Sequence, residues 1–154
     1  MSIANLLKKN DYSLFCDKIC VLNSNVVVNK TTTEIVIPNN SVTDILSTNF
    51  TPCDDSVKVK IEFSASVFGT VGAGDSLFFE VFRDAVSVGI FEYETTGLEF
   101  KINSPVSISW VDEPATTNQL TYKIQVTNSS VGESYNIKLS LINRSMTQLI
   151  LSEV

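Results

Sequence analysis

Acidic side chains are the residues of this chain whose type and spacing best fit chemistry. They form three groups: Asp54 and Asp55, Asp112 and Glu113, and Glu92 and Glu94. A glycoside hydrolase needs two carboxyl groups about 5–10 Å apart in one cleft, and Ca²⁺ needs about six or more oxygen ligands. Adjacent acids at strand ends meet neither requirement, so we interpret these groups as loop residues that favour solubility. A surface Ca²⁺ site at Asp54 and Asp55 stays open as an alternative.

The absence of histidine from the sequence excludes several kinds of active site. A Ser-His-Asp triad, a Cys-His pair and a His-ligated zinc or haem site all require that residue. No G-x-S-x-G or H-E-x-x-H signature occurs either. We therefore predict a protein that is not an enzyme, with no catalytic residue, no cofactor and no metal site.

Three cysteines are present, Cys16, Cys20 and Cys53. Cys16 and Cys20 are close enough in sequence to bridge or to share a metal, but a zinc site needs four ligands and no histidine is available. We expect partly buried thiols. Whether Cys16 and Cys20 pair is left open.

A glycine-rich segment at residues 69–76 has the G-x-G spacing of a phosphate-binding loop. Such a loop must lead into a helix whose N-terminal amides face the anion. Here a strand-like run at residues 77–82 follows, and no G-K-[ST] occurs. We predict a glycine-rich hairpin instead.

The charge balance excludes one class of partner. With 11 Lys and Arg against 17 Asp and Glu, the formal net charge is −6. A nucleic-acid partner would require Lys or Arg to neutralise its phosphates, so we predict none. The first residues lack the apolar run of a secretory signal, and no window approaches the roughly 20 apolar residues of a membrane span. We expect no signal peptide and no membrane insertion.

Period-two alternation of apolar and polar residues dominates the chain after residue 55. In residues 56–68 it places Val57, Val59 and Ile61 on one face and Lys58 on the other. This period is typical of a strand with one solvated face. Shorter runs repeat it at residues 98–102, 106–110, 120–126 and 135–141. Turn signals separate the runs at residues 69–74, 83–85, 95–97, 103–105, 112–114, 128–132 and 143–145. We predict an all-β fold, an antiparallel β-sandwich.

The first 55 residues carry a weaker pattern. Residues 26–28 and 34–37 are predicted strands, whereas residues 42–50 are mixed because Asp44 and Thr48 interrupt the alternation. No linker, charge block or internal repeat divides the 154 residues. We predict one domain over residues 1–154. Residues 1–55 would supply an N-terminal arm and early strands, and residues 56–154 the main sandwich.

Two predicted strands are apolar on both faces, at residues 77–82 and 146–154. Their second faces carry these apolar residues: Phe78, Phe82 and Ile150. A half-solvated antiparallel strand has one apolar face, so either another subunit or a part of the same chain must cover the second one. Exposed apolar patches above a few hundred Å² on a small soluble domain usually mark an interface, which favours another subunit.

Three segments carry a family resemblance. Residues 81–89 have the strand, tight turn and strand of an "fRDG-x-x-x-G" motif, with Ala85 in place of the turn glycine. Residues 120–126 are similar to a "TY-x-L" region, and residues 143–154 to an "NRS…LTAIEI" closing strand. Together they resemble the trimeric jelly rolls of the tumour-necrosis-factor and C1q type, in the versions used as fibre, spike or attachment modules by phages and large DNA viruses.

This resemblance implies a jelly roll with three copies packed around a three-fold axis. By match to the family's inner-sheet strands, the implied oligomer-interface candidates are Phe78, Phe82, Tyr122 and Leu149. The implied function is that of a non-enzymatic viral structural or attachment-type protein, located in the virion or in the host cytoplasm during assembly. Its partners would be itself, as a homotrimer, and a host glycan or host protein. Recognition would use the loops at residues 70–75, 112–119 and 128–134.

A carbohydrate-binding module that acts as a monomer or dimer is the alternative function. It requires an exposed aromatic platform, for which Trp110, Tyr93 and Tyr122 are the candidates. A capsid-building protein without any ligand is a third hypothesis. The oligomeric state in solution separates the first two functions.

Overall fold

The computed structural model describes residues 25–71, 76–94, 100–129, 137–139 and 146–154. Within these ranges the regular secondary structure consists of β-strands, which confirms the predicted all-β class. The strands are β1 (Val26–Thr31), β2 (Ile35–Ile37), β3 (Ser41–Phe50), β4 (Val59–Val71), β5 (Ser76–Arg83), β6 (Val86–Glu94), β7 (Phe100–Asp112), β8 (Leu120–Asn128), β9 (Ile137–Leu139) and β10 (Thr147–Glu153). The predictions for Cys16, Cys20 and the arm before residue 25 lie outside the described residues.

The described strands pair antiparallel in two sheets. The six-stranded sheet has the order β1-β10-β4-β9-β2, and β7 pairs with the other edge of β4. β10 and β9 share one edge of β4, because β10 pairs with residues 59–64 and β9 with residues 67–69. The four-stranded sheet has the order β3-β8-β5-β6.

This connectivity is that of a jelly roll. β1 with β2 and β9 with β10 act as two interrupted strands, so each sheet has four strand positions. When each interrupted strand is counted once, strands that follow one another in the chain lie in opposite sheets. The exception is the pair β5 and β6, which form a hairpin within one sheet. Two stacked antiparallel sheets with this winding define the jelly roll, and the predicted fold is confirmed.

The core lies between the two sheets and follows directly from the alternation in the sequence. Along β8 every second residue from Leu120 to Val126 is buried, while the residues between them face outward. Across the sandwich, the rings of Phe63 on β4 and Phe79 on β5 lie 5.9 Å apart between centroids. Burial of this apolar surface is the main stabilising term of such a fold.

A β-bulge explains why the pattern in residues 42–50 is mixed. The register between β3 and β8 shifts between Asp44 and Leu46. The extra residue in a bulge breaks the strict alternation of side chains, so Ile45 and Leu46 are both buried although they are adjacent. Residues 41–50 therefore form a full strand in spite of their sequence pattern.

The turn predicted at residues 103–105 is wrong. β7 runs without a break from Phe100 to Asp112, and Pro105 pairs with Ser66 of β4. Proline lacks the N–H that a central strand needs, but an edge strand tolerates it. In the described part of the chain β7 pairs with β4 alone, so Pro105 lies in such an edge strand.

The glycine-rich hairpin predicted at residues 69–76 is also wrong. Gly69 and Val71 belong to β4, which lies in the six-stranded sheet, whereas β5 begins at Ser76 in the four-stranded sheet. The segment therefore crosses from one sheet to the other, and residues 72–75 lie outside the described ranges. A phosphate-binding loop must lead into a helix. The segment leads instead into the strand β5, which agrees with the strand predicted at residues 77–82 and excludes a phosphate loop.

Candidate binding face

The second apolar face of β5 lies on the outside of the four-stranded sheet. Leu77 and Phe79 are buried in the core. Because successive side chains of a strand point to opposite faces, Phe78, Glu80 and Phe82 point away from the core, and all three remain half-buried. β5 thus carries aromatic side chains on both faces.

The strand register brings a second row of side chains beside them. On β6, Glu92 lies opposite Phe78 and Ile90 lies opposite Glu80. Residues directly opposite in an antiparallel pair share a face of the sheet. We call Phe78, Glu80, Phe82, Ile90 and Glu92 the β5–β6 face. Ile90 is 59% exposed, which is high for an isoleucine.

A polar network lies beside this face, on β3 and β8. The Asp44 carboxylate accepts a hydrogen bond from Gln125 Nε2 at 2.8 Å, and Lys123 Nζ lies 3.1 Å from Asp44 Oδ1. These donors, Gln125 first, lower the pKa of Asp44 against a smaller opposing effect of burial. Lys123 Nζ also lies 5.3 Å from the centroid of the Phe82 ring, within the range of a cation–π contact.

The two carboxylates of the β5–β6 face are not neutralised in the described part of the chain. Glu92 Oε1 accepts a hydrogen bond from the Ser76 hydroxyl at 2.8 Å. Among the described residues, no Lys or Arg lies within ion-pair distance of Glu80 or Glu92. The face therefore combines apolar rings with uncompensated negative charge.

The four interface candidates do not share a surface. Tyr122 and Leu149 are fully buried inside this chain and belong to its core. Leu149 lies on β10 in the six-stranded sheet, whereas β5 and β8 lie in the other sheet. The outward residue of β10 is its neighbour Ile150, which stands opposite Val28 of β1. Phe78 and Phe82 alone of the four keep side-chain surface for a second copy, and their role at an interface stays a prediction.

Tyr122 belongs to a buried ionic cluster at one end of the sandwich. Arg83 Nη1 donates to both carboxylate oxygens of Asp112, at 3.0 and 2.9 Å, and the Tyr122 hydroxyl donates to Asp112 Oδ2 at 2.7 Å. Burial, together with the Asp112 carboxylate, raises the pKa of Tyr122 well above its ordinary value. The interpretation of Asp112 as a solubility residue is therefore wrong, because its side chain is only 10% exposed and ties three strands together.

The β5–β6 hairpin that positions Arg83 is anchored by its turn. Asp84 adopts the left-handed φ of 53°. Its N–H donates to Thr121 O at 2.7 Å, and its Oδ1 accepts from Thr121 N at 2.9 Å. The positive φ falls on Asp84 and not on Ala85, so the turn does not need glycine at residue 85.

Two of the aromatic residues expected to form a glycan platform pack inside the sandwich or against its core. Tyr122 is buried. Trp110 is half-buried and packs against the core, where its indole occupies the space that a side chain at Gly89 would fill. The side chain of Tyr93 is outside the described set. Trp110 and Tyr122 therefore do not form an exposed platform.

Asp54, another of the acidic candidates, forms contacts within its own loop. Asp54 Oδ1 accepts hydrogen bonds from the backbone N–H and the hydroxyl of Ser56, at 2.8 and 2.6 Å, and these lower the pKa of Asp54. In the ranges that the structure covers, no three His, Cys, Asp or Glu side chains are grouped so that they can hold a metal ion.

Cys53 is half-buried, and its N–H donates to Glu153 Oε1 at 2.8 Å. No helix long and apolar enough to cross a membrane occurs among the described residues.

The fold is similar to parts of solved viral structures. A chain in the structure of the infectious bursal disease virus Gx strain matches with a TM-score of 0.54 and 12% identity, covering 86% of this chain and 32% of that one. T=1 particles derived from infectious bursal virus give a TM-score of 0.50 and 12% identity, with 86% and 36% covered. The carbohydrate-binding module TmCBM61, solved with β-1,4-galactotriose, gives 0.42 and 12%, with 83% and 86% covered.

The two virus likenesses support the jelly-roll fold and no more, because identity is 12% in each. This chain spans about a third of the length of the virus chains. No protein-family model matches the sequence, and no curated protein matches it.

Proposed function

We propose that this protein is a non-enzymatic viral structural or attachment-type protein that assembles as a homotrimer and recognises its partner through surface loops. In this proposal residues 1–154 act as one domain, in the virion or in the host cytoplasm during assembly. The observation that carries it is the β5–β6 face, because within the described residues Ile90 is mostly exposed there and Phe78 and Phe82 are only half-buried.

Three features support assembly through that face. Phe78 and Phe82 are half-buried on the outside of a sheet, and Ile90 beside them is mostly exposed. The strand that carries both phenylalanines is paired on both sides, with β6 and with β8. The cores of protein interfaces are usually apolar and enriched in aromatic residues, and the β5–β6 face has both properties.

Recognition of a host glycan or host protein is assigned to the loops. Residues 113–119 connect β7 to β8 and form the loop that the structure describes most fully among the three candidates. Ala115 in this loop has a positive φ of 50°, a conformation that non-glycine residues seldom adopt. Loops held by a rigid sandwich are the common location of recognition residues.

The oligomeric state in solution tests the proposal. Light scattering coupled to sedimentation is expected to give three times the chain mass of 16.9 kDa. A monomer at micromolar concentration would contradict the homotrimer. A monomer or dimer that binds on a glycan array would instead support the carbohydrate-binding module.

A substitution at Phe82 tests the face itself. Phe82→Asp is expected to lower the oligomeric state while the circular dichroism spectrum stays that of the parent, because burying a charge at an interface is costly. Val28→Asp is the matched control, since Val28 is an exposed apolar residue on the outside of the other sheet. If Phe82→Asp keeps the parent's oligomeric state, the face is not the interface. If both variants lose it equally, the effect is not specific to the β5–β6 face.

A further inference from the structure

The loop at residues 113–119 is held at both ends by the β5–β6 hairpin. Before the loop, the Arg83 guanidinium donates to the Asp112 carboxylate at 2.9 and 3.0 Å. After the loop, Asp84 N donates to Thr121 O at 2.7 Å, and Thr121 N donates to Asp84 Oδ1 at 2.9 Å. Arg83 and Asp84 are adjacent where β5 turns into β6, so two neighbouring residues connect the two ends of the loop.

The interior of the loop is ordered as well. Ala115 has a φ of 50°, which non-glycine residues seldom adopt. Asn118 N donates to Thr116 Oγ1 at 3.1 Å, which closes a local turn. A left-handed conformation at an alanine persists only where the surrounding structure determines it, and such positions cluster at binding sites. The loop is therefore preformed and is more than a flexible connection between β7 and β8.

The side chains that the loop presents are polar and uncharged. Thr117, Asn118 and Gln119 are exposed, and within the described residues their side chains form no hydrogen bond. The one charged residue of the loop, Glu113, forms an ion pair with Lys58 at 2.6 Å. Hydroxyl and amide groups both donate and accept hydrogen bonds, and so do the hydroxyl groups of a sugar. The loop contains no Lys or Arg for an acidic ligand, so the complementary ligand is an uncharged glycan.

We infer that residues 113–119 form a preformed binding loop for an uncharged glycan, and that Arg83 and Asp84 are positioning residues that hold the loop in its binding conformation. This inference rests on the proposed function, from which it takes recognition by surface loops. It adds which loop binds, the class of ligand and the residues that fix the loop. Because a loop that is ordered in advance loses less conformational entropy on binding, release of one of its ends is expected to weaken binding.

Two substitutions at Asp84 in the full-length chain test the positioning role. Asp84→Gly tolerates the positive φ but removes the carboxylate that accepts from Thr121 N. Amide exchange of residues 113–121, followed by mass spectrometry, is expected to become about tenfold faster, and binding to the best neutral glycan on an array about tenfold weaker. Asp84→Asn keeps a side-chain oxygen acceptor and also tolerates a positive φ, so it is expected to match the parent in both measurements.

The exchange rates of β4 and β10 separate positioning from a general effect on stability. Both strands lie in the other sheet and are expected to exchange at the parent rate in Asp84→Gly. An equal increase in all three regions would mean that the turn serves only the stability of the fold, and it would overturn the positioning role. The same role is overturned if Asp84→Gly keeps the parent's loop exchange or its glycan binding.

Substitution of the exposed side chains tests the loop as the binding element. The variant with Thr117→Ala and Asn118→Ala is expected to lose binding to neutral glycans on the array. Its matched control carries Thr32→Ala and Thr33→Ala, which removes two exposed hydroxyl groups from the loop between β1 and β2, and is expected to bind as the parent does. If the variant in the 113–119 loop also binds as the parent does, that loop is not the binding element.

The parent protein decides the ligand class on an array that holds both neutral and sialylated glycans. Binding to neutral glycans supports the inference, whereas binding only to acidic glycans, or to none, overturns it. Light scattering on the same samples keeps this result apart from the homotrimer. A trimer that binds no neutral glycan overturns this inference alone, and a monomer that binds one through the loop overturns the homotrimer alone.

Discussion

Two aspartates of this protein have similar partners and different surroundings. Asp112 accepts from one cation, Arg83, and one neutral donor, the Tyr122 hydroxyl. Asp44 likewise has one cation, Lys123, and one neutral donor, the Gln125 amide. The side chain of Asp112 is 10% exposed and that of Asp44 is 60% exposed. The hydrogen-bonding chemistry is shared, and burial is the main variable.

The difference separates a group that holds the fold from a group that orders a surface. Around Asp112 water cannot replace a lost partner, so each contact there is coupled to the stability of three strands. Around Asp44 water is close by, and an exposed ion pair contributes at most about 1 kcal/mol. The Asp44 network can therefore change with little effect on folding, which is what a binding surface requires.

Removal of Asp112 should give the largest effect. Asp112→Ala leaves the Arg83 guanidinium partly buried without its anion and the Tyr122 hydroxyl without its acceptor. We expect a loss of about 3–5 kcal/mol in the free energy of unfolding, measured by urea denaturation. A loss below about 1 kcal/mol would show that the Asp112 cluster contributes no more than an exposed ion pair does. It would contradict the conclusion that burial separates the roles of Asp112 and Asp44.

Removal of only the neutral donor should cost less. Tyr122→Phe keeps the ring, and with it the edge-to-face contact with Phe50, but it deletes the hydrogen bond to Asp112. A hydrogen bond to a charged group contributes about 1.5–3 kcal/mol, and we expect a loss of stability in this range. The matched change in the surface network is Gln125→Ala, which is expected to cost under about 1 kcal/mol. Equal losses for the two variants would contradict the role of burial.

The parts of the molecule that follow a local rule could be predicted from the sequence. Strict alternation in residues 120–126 predicts which side of β8 is buried, and the structure has the same residues inside. The exposed second face of β5 follows from the same rule, applied to Phe78 and Phe82. The buried side of β8 and the exposed face of β5 both follow from the alternation of side chains along a single strand, which needs no information about its partners.

The parts that depend on pairing between distant segments could not be predicted. Asp112 looked like a loop residue because nothing near it in sequence indicates that β5 and β8 bring Arg83 and Tyr122 to it. The family resemblance points to Leu149, whereas its neighbour Ile150 is the residue on the outside of β10. Adjacent residues of a strand point to opposite faces, so a shift of one residue exchanges core for surface. The β-bulge at Asp44 likewise follows from its pairing with β8 and not from local sequence.

Alkaline pH should act on the buried cluster through Tyr122. Burial and the Asp112 carboxylate raise the pKa of Tyr122 above its ordinary value of 10.0. Above about pH 10 the unfolded chain therefore loses this proton while the folded chain keeps it, so stability falls as pH rises, by up to about 1.4 kcal/mol per pH unit. Denaturation midpoints at pH 9, 10 and 11 for the parent and Tyr122→Phe check this. The variant should lack that part of the slope, and identical slopes would show that Tyr122 titrates normally in the folded chain.

Removal of Asp44 should give the smallest effect on stability and sharpens the comparison most. Asp44→Ala deletes a salt bridge and a hydrogen bond, as Asp112→Ala does, yet we expect a loss under about 1 kcal/mol because water replaces the lost partners. The lowered pKa of Asp44 means that its contribution is present above about pH 4 and is lost as pH falls below that value. The loss in Asp44→Ala should therefore be smaller at pH 3 than at pH 7, as paired urea titrations at the two pH values can show. A loss of several kcal/mol at pH 7 would mean that the surface network supports the fold and that exposure does not decide the role of these two aspartates.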